Sequence, residues 1–369
     1  MGESKKYIIA GGGTGGHIFP AIAIADAIRQ NNVDAEVLFV GASGRMEMEK
    51  VPQAGYKIIG LEVVGIQRRL TIENLLVPIK LLKSLLHARK IINDYKPNAC
   101  IGVGGYASAP VLFMAALMGI QTFIQEQNSY PGITNKILSK FANKIFVAYD
   151  NLNLFFNPNK IKLTGNPVRK DISGTLPSKK DALDFFQLDE FKKTILVIGG
   201  SLGARTVNEA IEANLELFVK QDYQVLWQTG KAYYTGIIER TEKLAIKQIK
   251  IHQFLKEMNL AYAAADVIVS RAGALSISEL CIVGKPCVLI PSPNVSEDHQ
   301  TKNAMALVHK NAALMIKDNE AIKKLGNVLV DLLNNEQQQD ALAVNIKMLA
   351  KSDAANEIVK EIISSNQNK

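Results

Sequence analysis

The stretch "KYIIAGGGTGGHIFPAIAIADAIRQ", residues 6–30, has the pattern strand, glycine-rich loop, helix. The apolar run "KYIIA" predicts a β-strand, and five of the seven residues in "GGGTGGH", 11–17, are glycine. Glycine loses more conformational freedom on folding than other residues and adds no side chain to a core. So dense a cluster indicates that a ligand approaches the backbone closely. Pro20 predicts the start of a helix to about Gln30, since its missing N–H costs nothing in the first turn.

The same pattern begins again near residue 194, with the strand "TILVIGG", the glycine turn "SLGAR" and the helical run "TVNEAIEANLELFVK". Apolar strands alternate with helical segments in both halves, which predicts parallel sheets covered on both faces. The turn-rich segment "LTGNPVRKDIS" between the halves predicts a linker near 165–172. We therefore expect two α/β domains of similar construction, with the ligand in a cleft between the carboxyl ends of their strands.

Composition limits the classes of partner. A length of 369 residues suits two domains, and 47% hydrophobic with 21% charged residues indicates a globular chain. The net charge of +8 favours anionic partners, although a merely soluble basic protein is the alternative. The basic residues are not interleaved with aromatic ones, so we expect no nucleic acid. Cys100, Cys281 and Cys287 form no CxxC pair, which favours a reducing cytoplasm.

The first glycine loop does not complete either of two familiar nucleotide motifs. Gly11, Gly13 and Gly16 match G-x-G-x-x-G, but the next strand ends "FVGAS", without the acidic residue that binds a ribose in dinucleotide sites. This argues against a nicotinamide enzyme. A Walker loop is excluded because His17 and Ile18 follow Gly16 where Lys and Ser or Thr are required.

Both glycine loops nevertheless lead into helix N-termini, whose free N–H groups and dipole attract anions. Two such ends at one cleft predict a diphosphate site without a metal. No Asp-x-Asp occurs, and no cluster has metal-ligand spacing, so we expect no metal and no cofactor. Alternatively, the glycines only permit tight turns. Because two loops occupy matching positions, we favour the phosphate interpretation.

Two further stretches carry polar side chains at strand ends. "SRAGALSISEL", 270–280, opens a helix with Glu279 in its first turns, where a carboxylate binds ribose hydroxyls or merely stabilises the helix dipole. "EDHQTKNA", 297–304, is a polar loop that binds sugar hydroxyls or caps the next helix.

Seven motifs in order give the chain a specific resemblance: "GGGTGGHIFPAIAIA", "GVGGYASAP", "QEQNSYPGITNK", "GNPVR", "GGSLGAR", "SRAGALSISEL" and "EDHQTKNA". With them the sequence resembles the bacterial MurG family of N-acetylglucosaminyltransferases over nearly its whole length. One departure is Gln125, where a His is common. The resemblance implies two facing Rossmann-like domains with parallel sheets, the GT-B glycosyltransferase fold.

The implied domains are residues 1–165, facing the acceptor and the membrane, and 166–349, binding UDP-GlcNAc. A C-terminal helix at about 350–369 is expected to pack back on the first domain. The implied reaction transfers GlcNAc from UDP-GlcNAc to the C4 hydroxyl of the MurNAc unit of lipid I, with inversion. The product is lipid II, a peptidoglycan precursor, formed at the cytoplasmic face of the membrane by a peripheral enzyme.

The resemblance also implies the residues of the site. In the first half, Thr14, Gly15 and Gly16 lie against the donor's diphosphate and sugar, Asn128 bonds a GlcNAc hydroxyl, and Arg169 holds the diphosphate end.

In the second half, Ser201 joins Arg169 at the diphosphate, Leu255 presents backbone groups to uracil, and Gln300 binds the sugar. A helical run wraps the ribose and phosphates, with Glu279 on the ribose diol: Ala274, Leu275, Ser276, Ile277, Ser278 and Glu279.

The reaction needs charge stabilisation and a base. The departing diphosphate gains negative charge, which helix N-termini and Arg169 can stabilise in place of a metal. The attacking hydroxyl must lose a proton, histidine side chains in general can take one near neutral pH, and His17 lies in the first loop. Alternatively, His17 only caps the helix or binds a phosphate. Glu126 is the second candidate for the base.

The acceptor lies in a membrane, so the chain needs a surface that reaches one. Residues 66–92 carry six Lys or Arg residues against one acid, Glu73, and Leu75, Ile79, Leu82 and Leu86 share a helical face. This pattern is typical of an interfacial helix on an anionic membrane, or of a packing helix with a basic outer face.

One other enzyme class has the same architecture. A UDP-GlcNAc 2-epimerase would need no membrane acceptor, and the basic apolar segment 66–92 and the loop "GGYASAP" argue against it.

Overall fold

The computed structural model describes residues 4–63, 77–200, 202–241 and 246–367. The chain divides into two units, Met1–Arg169 with Ser352–Lys369, and Lys170–Lys351. The division after Arg169 falls within the turn-rich segment 163–173.

The first unit is built on a parallel sheet, whose strands in the described residues follow the order β3-β2-β1-β4-β5-β6-β7. The strands are β1 (Lys6–Ala10), β2 (Glu36–Ala42), β3 (Lys57–Leu61), β4 (Ala99–Gly102), β5 (Gln121–Glu126), β6 (Lys144–Val147) and β7 (Ile161–Leu163). The helices that connect successive strands from β1 to β6 are α1 (Gly15–Asn31), α2 (Glu47–Gln53), α3 (Val77–Tyr95), α4 (Ser108–Leu117) and α5 (Ile133–Leu138). This order places the topological switch point between β1 and β4, where ligands bind in doubly wound sheets.

The central strand of this unit is buried on both faces. Along β1, Tyr7 and Ile9 pack on one side of the sheet, while Ile8 and Ala10 pack on the other. Burial on both faces explains the continuous apolar run that predicted the strand. Helix α1 begins at Gly15 and contains Pro20, so the predicted start at Pro20 is wrong. Gly15 takes a helical conformation, which extends the helix back into the glycine loop.

The second unit repeats this plan with a sheet whose described strands follow the order β10-β9-β8-β11-β12-β13, again all parallel. The strands are β8 (Thr194–Ile198), β9 (Gln224–Gln228), β10 (Ile249–His252), β11 (Val267–Ser270), β12 (Cys287–Leu289) and β13 (Leu314–Met315). The helices are α6 (Lys170–Ser173), α7 (Lys179–Phe186), α8 (Arg205–Glu212), α9 (Leu215–Lys220), α10 (Tyr234–Thr241), α11 (Met258–Ala264), α12 (Ala274–Val283), α13 (His299–Val308), α14 (Ala321–Leu333) and α15 (Glu336–Lys347). The prediction of α/β domains with parallel sheets is confirmed.

The helical run 206–220 is divided into α8 and α9, where the sequence predicted one helix. Asn214 lies at the break, and its side-chain amide donates a 2.8 Å hydrogen bond to the carbonyl of Ala210. Asparagine competes for backbone groups in this way and disfavours helix interiors. The apolar side chains still share one core with the sheet, because Val207, Ile211 and Phe218 are all buried.

The last helix, α16 (Ala354–Gln367), belongs to the first unit and packs against α1. Ile358, Val359 and Ile362 are buried in the core formed with α1 and the sheet. Its Glu361 forms ion pairs with Lys144 and, at 3.5 Å, with Lys162.

We expect Ile362→Ala to lower the free energy of unfolding of the first unit by about 2–5 kcal/mol, the usual cost of truncating a buried isoleucine. Urea denaturation followed by circular dichroism measures this cost. Ser364→Ala, an exposed change on the same helix, is the control and should cost under about 0.5 kcal/mol. Equal unfolding midpoints for the two variants would show that α16 contributes nothing to this core.

Candidate active site

Two glycine loops of the first unit meet at the carboxyl ends of β1 and β4. The amide of Gly12 donates to the carbonyl of Gly104 over 3.3 Å. Gly105 has a φ of +83°, and a Cβ on it would lie 2.4 Å from the carbonyl oxygen of Gly12. Only glycine permits this approach, since a side chain would be both strained and in collision. The density of glycine noted in the sequence therefore brings two backbones together, in addition to any role toward a ligand.

His17, at the start of α1, has one ring nitrogen fixed by the first loop. Its Nδ1 lies 2.9 Å from the carbonyl oxygen of Gly12 and 3.3 Å from Oγ1 of Thr14. A carbonyl only accepts, so the bond to Gly12 assigns the proton to Nδ1 and the lone pair of the neutral ring to Nε2. A Cβ on Gly104 would lie 2.8 Å from Nε2, so glycine at that position leaves room for the ring. The ring thus has the tautomer that a general base acting through Nε2 requires.

Glu126, the last residue of β5, holds the loop that follows it. The side chain is 1% exposed. Its Oε1 accepts from the backbone amide of Asn128 at 3.0 Å and from the side-chain amide of Asn128 at 3.3 Å. Its Oε2 accepts from the amide of Gly132 at 3.1 Å and from Nδ2 of Asn135 at 2.8 Å. Both oxygens of the carboxylate are thus engaged by N–H groups of its own loop and helix, and this arrangement favours His17 as the base.

Buried amide side chains connect β4, β5 and the segment that leads to Arg169. Nε2 of Gln125 donates to Oδ1 of Asn166 at 2.8 Å, and Nδ2 of Asn166 donates to the carbonyl of Gln127 at 3.0 Å. Nε2 of Gln127 donates to the carbonyl of Val103 at 2.8 Å. Gln125, the departure from the family's sequence, is therefore part of a satisfied buried network. Arg169 follows this network and is partly buried.

The second glycine loop, in the second unit, is joined to the segment after β10. Ser201 lies outside the described residues. Oε1 of Gln228 accepts from the backbone amide of Leu255 at 2.9 Å, and its Nε2 donates to the carbonyl of Gly200 at 3.2 Å. The N–H of Leu255, one of the backbone groups expected to meet uracil, is therefore engaged within the chain. Gly203 turns the loop into α8 with a φ of +85°.

Helix α12 carries the predicted ribose and phosphate residues, which face different ways. Ile277 is buried in the core, and Oγ of Ser278 donates to the carbonyl of Ala274 at 3.0 Å. Glu279 is partly buried, and its Oε2 accepts a 2.8 Å hydrogen bond from the phenol of Tyr262. The helix begins immediately after Gly273, so its N-terminus lies at Ala274.

Gln300 lines a cavity of about 540 Å³ at the carboxyl edge of the second sheet. Oε1 of Gln300 accepts from the amide of Ser292 at 2.8 Å. Arg271 also lines the cavity, donating to the carbonyl of Ile290 at 2.9 Å and pairing with Asp318. The volume lies within the usual range for a small-molecule site. In the described part of the chain, no group of three or more His, Cys, Asp or Glu residues is placed to hold a metal ion.

An apolar cavity of about 410 Å³ lies between α3, α4 and α5 of the first unit. Lys80 stands among its lining residues, with Leu85 and Phe113. Along α3, Ile79, Leu82 and Leu86 are exposed. Residues 64–76, including Glu73 and Leu75 of the predicted interfacial segment, lie outside the described residues. No helix in the described ranges is long and apolar enough to span a bilayer.

The geometry brings in residues that the sequence prediction did not name. Tyr262 and Arg271 are two of them, described above, and Gln228 and Asn166 are two more. Another is Glu47, whose Oε2 accepts from the amide of Gly13 in the first glycine loop at 2.8 Å. Glu47 follows the second strand within "RMEMEK", where nothing distinguishes it from Glu49. Gln228 ends β9, and polar residues at the carboxyl ends of parallel strands are candidates for site residues. Asn166 lies in the motif "GNPVR", which indicated a linker and a resemblance but not a hydrogen-bond network.

Comparison with known proteins agrees with this architecture. The family models for the glycosyltransferase family 28 N-terminal and C-terminal domains match residues 7–147 and 194–358. A relative from Parabacteroides distasonis is 53% identical over 361 residues, covering 97% of this chain and 98% of its own. One from Cytophaga hutchinsonii is 54% identical, covering 98% of each. Both are named UDP-N-acetylglucosamine–N-acetylmuramyl-(pentapeptide) pyrophosphoryl-undecaprenol N-acetylglucosamine transferase.

Among solved structures, MurG of Acinetobacter baumannii is similar with a TM-score of 0.78 and 28% identity, covering 98% of this chain and 99% of its own. A putative UDP-N-acetylglucosamine 2-epimerase of Listeria monocytogenes has a TM-score of 0.69 at 14% identity, covering 99% of this chain and 98% of its own. At that identity the likeness to the epimerase shows the fold alone, so the epimerase alternative is less supported.

The two domain-model matches, on two Rossmann-like units with parallel sheets, therefore show a glycosyltransferase of family 28 with the GT-B fold. Two relatives share more than half of their residues with this chain over nearly its full length, and their names narrow the class further. The chain belongs to the MurG family of N-acetylglucosaminyltransferases, as the resemblance in its motifs indicated.

Proposed function

We propose that this chain transfers GlcNAc from UDP-GlcNAc to the C4 hydroxyl of the MurNAc unit of lipid I, with inversion, and so forms lipid II for peptidoglycan. The observation that carries the proposal is the identity of 50–54% to relatives named for this transfer, over 97–98% of the chain. The fixed tautomer of His17 is consistent with it, since the reaction must remove a proton from a hydroxyl.

In the proposed mechanism, Nε2 of His17 takes the proton of the acceptor's C4 hydroxyl as its oxygen attacks the anomeric carbon. The bond from that carbon to the UDP oxygen breaks, and its electron pair leaves with UDP. The carbonyl of Gly12, already bonded to Nδ1–H at 2.9 Å, stabilises the imidazolium that forms. Glu126 shapes the loop that carries Asn128, which we assign to a GlcNAc hydroxyl.

The remaining assignments on the first unit concern the transferred sugar and the phosphates. We assign Thr14, Gly15 and Gly16 to them because α1 begins at Gly15, which gives this loop the free N–H groups of a helix N-terminus. Arg169 supplies positive charge for the departing diphosphate.

We assign the donor nucleotide to the second unit. Glu279 accepts from the ribose hydroxyls, with Tyr262 holding one of its oxygens at 2.8 Å. The N-terminus of α12 and the second glycine loop with Ser201 stabilise the phosphates. Uracil meets the backbone at Leu255 through groups other than its engaged N–H. Gln300 binds the sugar from the rim of the 540 Å³ cavity.

Helix α3 is the proposed contact with an anionic membrane, at the cytoplasmic face where a peripheral enzyme meets a lipid-linked acceptor. Ser84 and Ala88 are buried against the unit, whereas Leu82 and Leu86 are exposed beside Lys83. An apolar stripe flanked by lysines, next to an apolar cavity, suits insertion at the headgroup level.

We expect the double variant Lys80→Gln, Lys83→Gln to bind vesicles of phosphatidylglycerol and phosphatidylcholine roughly 30-fold more weakly. Each basic residue near an anionic surface contributes about 1 kcal/mol. Lys220→Gln with Lys231→Gln, which are exposed in the second unit, is the matched control and should bind like the wild type. Sedimentation with vesicles measures both, and equal losses in the two double variants would contradict a role for α3.

The function itself is tested by incubating the protein with radiolabelled UDP-GlcNAc, with and without a lipid I analogue. Label should enter the lipid only when the analogue is present. Conversion of UDP-GlcNAc to an epimer without acceptor would support the 2-epimerase instead, and no turnover of either kind would contradict both.

A further inference from the structure

A buried carboxylate lies beneath the first glycine loop. Glu47, the first residue of α2, is 1% exposed. Its Oε1 accepts from the amide of Ala42 at 2.9 Å, and its Oε2 accepts from the amide of Gly13 at 2.8 Å. Burying a carboxylate is costly unless hydrogen bonds or opposite charges compensate. The two hydrogen bonds donated by the backbone amides of Ala42 and Gly13 supply part of that compensation.

The chain makes room for this carboxylate with two glycines. A Cβ on Gly12 would lie 2.2 Å from Oε1 of Glu47, and a Cβ on Gly41 would lie 2.5 Å from its Cγ. Side chains at either position would displace the glutamate. The first glycine loop and the end of β2 are therefore shaped around the Glu47 side chain.

Glu47 is connected to His17 through a single peptide unit. The N–H that donates to Glu47 belongs to Gly13, and the carbonyl that accepts from Nδ1 of His17 belongs to Gly12. These two groups are the opposite ends of the Gly12–Gly13 peptide bond, which is trans, as are all peptide bonds in the described residues. A continuous hydrogen-bonded chain therefore runs from the carboxylate of Glu47 through this peptide to the imidazole of His17. Its two hydrogen bonds measure 2.8 Å at the carboxylate and 2.9 Å at the imidazole.

We propose that Glu47 is a positioning residue for the base of the transfer reaction. It fixes the Gly12–Gly13 peptide so that the carbonyl of Gly12 holds Nδ1–H of His17 and leaves the lone pair of the ring on Nε2. Its negative charge polarises the peptide toward His17 and so favours the imidazolium that forms when Nε2 takes the hydroxyl proton. Glu47 itself neither gains nor loses a proton. The inference rests on the proposed role of His17 and deepens it.

A helix-dipole role does not account for this geometry. Glu49 also lies in the first turn of α2, but it is exposed and pairs with Lys50 at 3.3 Å. Its side chain faces solvent on the same helical turn, which makes Glu49→Gln the matched control.

The first test compares Glu47→Gln, which keeps the shape but removes the charge, with Glu49→Gln. Loss of a carboxylate behind a metal-bound histidine commonly costs about 10- to 100-fold, and we take the same range for a carboxylate that positions His17. We expect that loss in kcat for Glu47→Gln with the KM for UDP-GlcNAc changed less than twofold, and no change in either for Glu49→Gln. In a His17→Ala background, Glu47→Gln should lower kcat no further. An equal loss in both backgrounds would overturn the proposal.

The second test does not depend on activity. In protein labelled with ¹⁵N-histidine, the nitrogen resonances of His17 should show the Nδ1–H tautomer in the wild type and a mixture of tautomers in Glu47→Gln. Unchanged His17 resonances in Glu47→Gln would overturn the link even if the transfer reaction itself were not observed. If Glu47→Gln does not fold, Glu47→Asp, which keeps the charge but shortens the reach, should still shift the tautomer mixture.

Discussion

His17→Ala is expected to lower kcat by about 10²–10⁴-fold while the Kd for UDP-GlcNAc stays nearly unchanged, because a general base acts on the acceptor's proton and not on donor binding. The hydrogen bonding of the His17 ring supports a loss in kcat without a loss in donor affinity. Nδ1 is bonded to Gly12 at 2.9 Å, which leaves catalysis to Nε2. Steady-state kinetics with a lipid I analogue gives kcat, and isothermal calorimetry gives the donor Kd.

The alternative role for His17 has a different outcome. If the ring binds a donor phosphate, the Kd for UDP-GlcNAc should rise in step with the lost rate. His309→Ala, an exposed change in the second unit, is the control and should leave both quantities unchanged. A full rate with an unchanged donor Kd for His17→Ala would exclude both roles and leave Glu126 as the candidate base, despite its four hydrogen-bond donors.

Glu279→Gln is expected to weaken UDP-GlcNAc binding by about 1.5–3 kcal/mol, roughly 10- to 150-fold in Kd. Hydrogen bonds from ribose hydroxyls to a charged carboxylate contribute about this much, and glutamine keeps the shape without the charge. Isothermal calorimetry with UDP-GlcNAc and with UDP alone should show the same loss, since both carry the ribose.

Two further variants separate the ribose contact from a general effect of charge. Tyr262→Phe removes the phenol that holds Oε2 of Glu279 and should weaken the donor less than Glu279→Gln does. Glu216→Gln, exposed on α9, should have no effect. Unchanged donor affinity in Glu279→Gln would leave that residue with only the stabilisation of its helix.

The fold was predictable from the sequence because its strongest patterns are local. Apolar runs such as Tyr7–Ala10 occupy strands buried on both faces, and each glycine loop follows such a run directly. The start of α1 and the break between α8 and α9 were missed for local reasons too. Glycine has a low helix propensity, so nothing in the sequence indicated that α1 begins at Gly15. The hydrogen bond from the Asn214 side chain to the carbonyl of Ala210 exists only in the folded turn, so the sequence did not reveal the break between α8 and α9.

The site was predictable only in part, because its decisive contacts join residues far apart in the chain. Glu47 meets Gly13 across 34 positions, and Gln228 meets Leu255 across 27. Nothing in the sequence near Glu47 distinguishes it from Glu49, whereas Gln228 was marked only by its place at the end of a predicted strand. The motif "GGGTGGH" indicated a close approach to the backbone, but the sequence did not indicate that a carboxylate lies beneath it.

The central claim is that a hydroxyl activated by His17 displaces UDP in one step, and the anomeric configuration of the first product tests it most directly. UDP-GlcNAc carries its sugar in the α configuration, so a single displacement must invert it. Proton NMR of the disaccharide, formed from a lipid I analogue during the first turnovers, measures the configuration. We predict a β-linked GlcNAc on the C4 oxygen of MurNAc. An α-linked product would require either two successive displacements or attack on the face that UDP leaves, and both would contradict a single displacement by a hydroxyl that His17 activates.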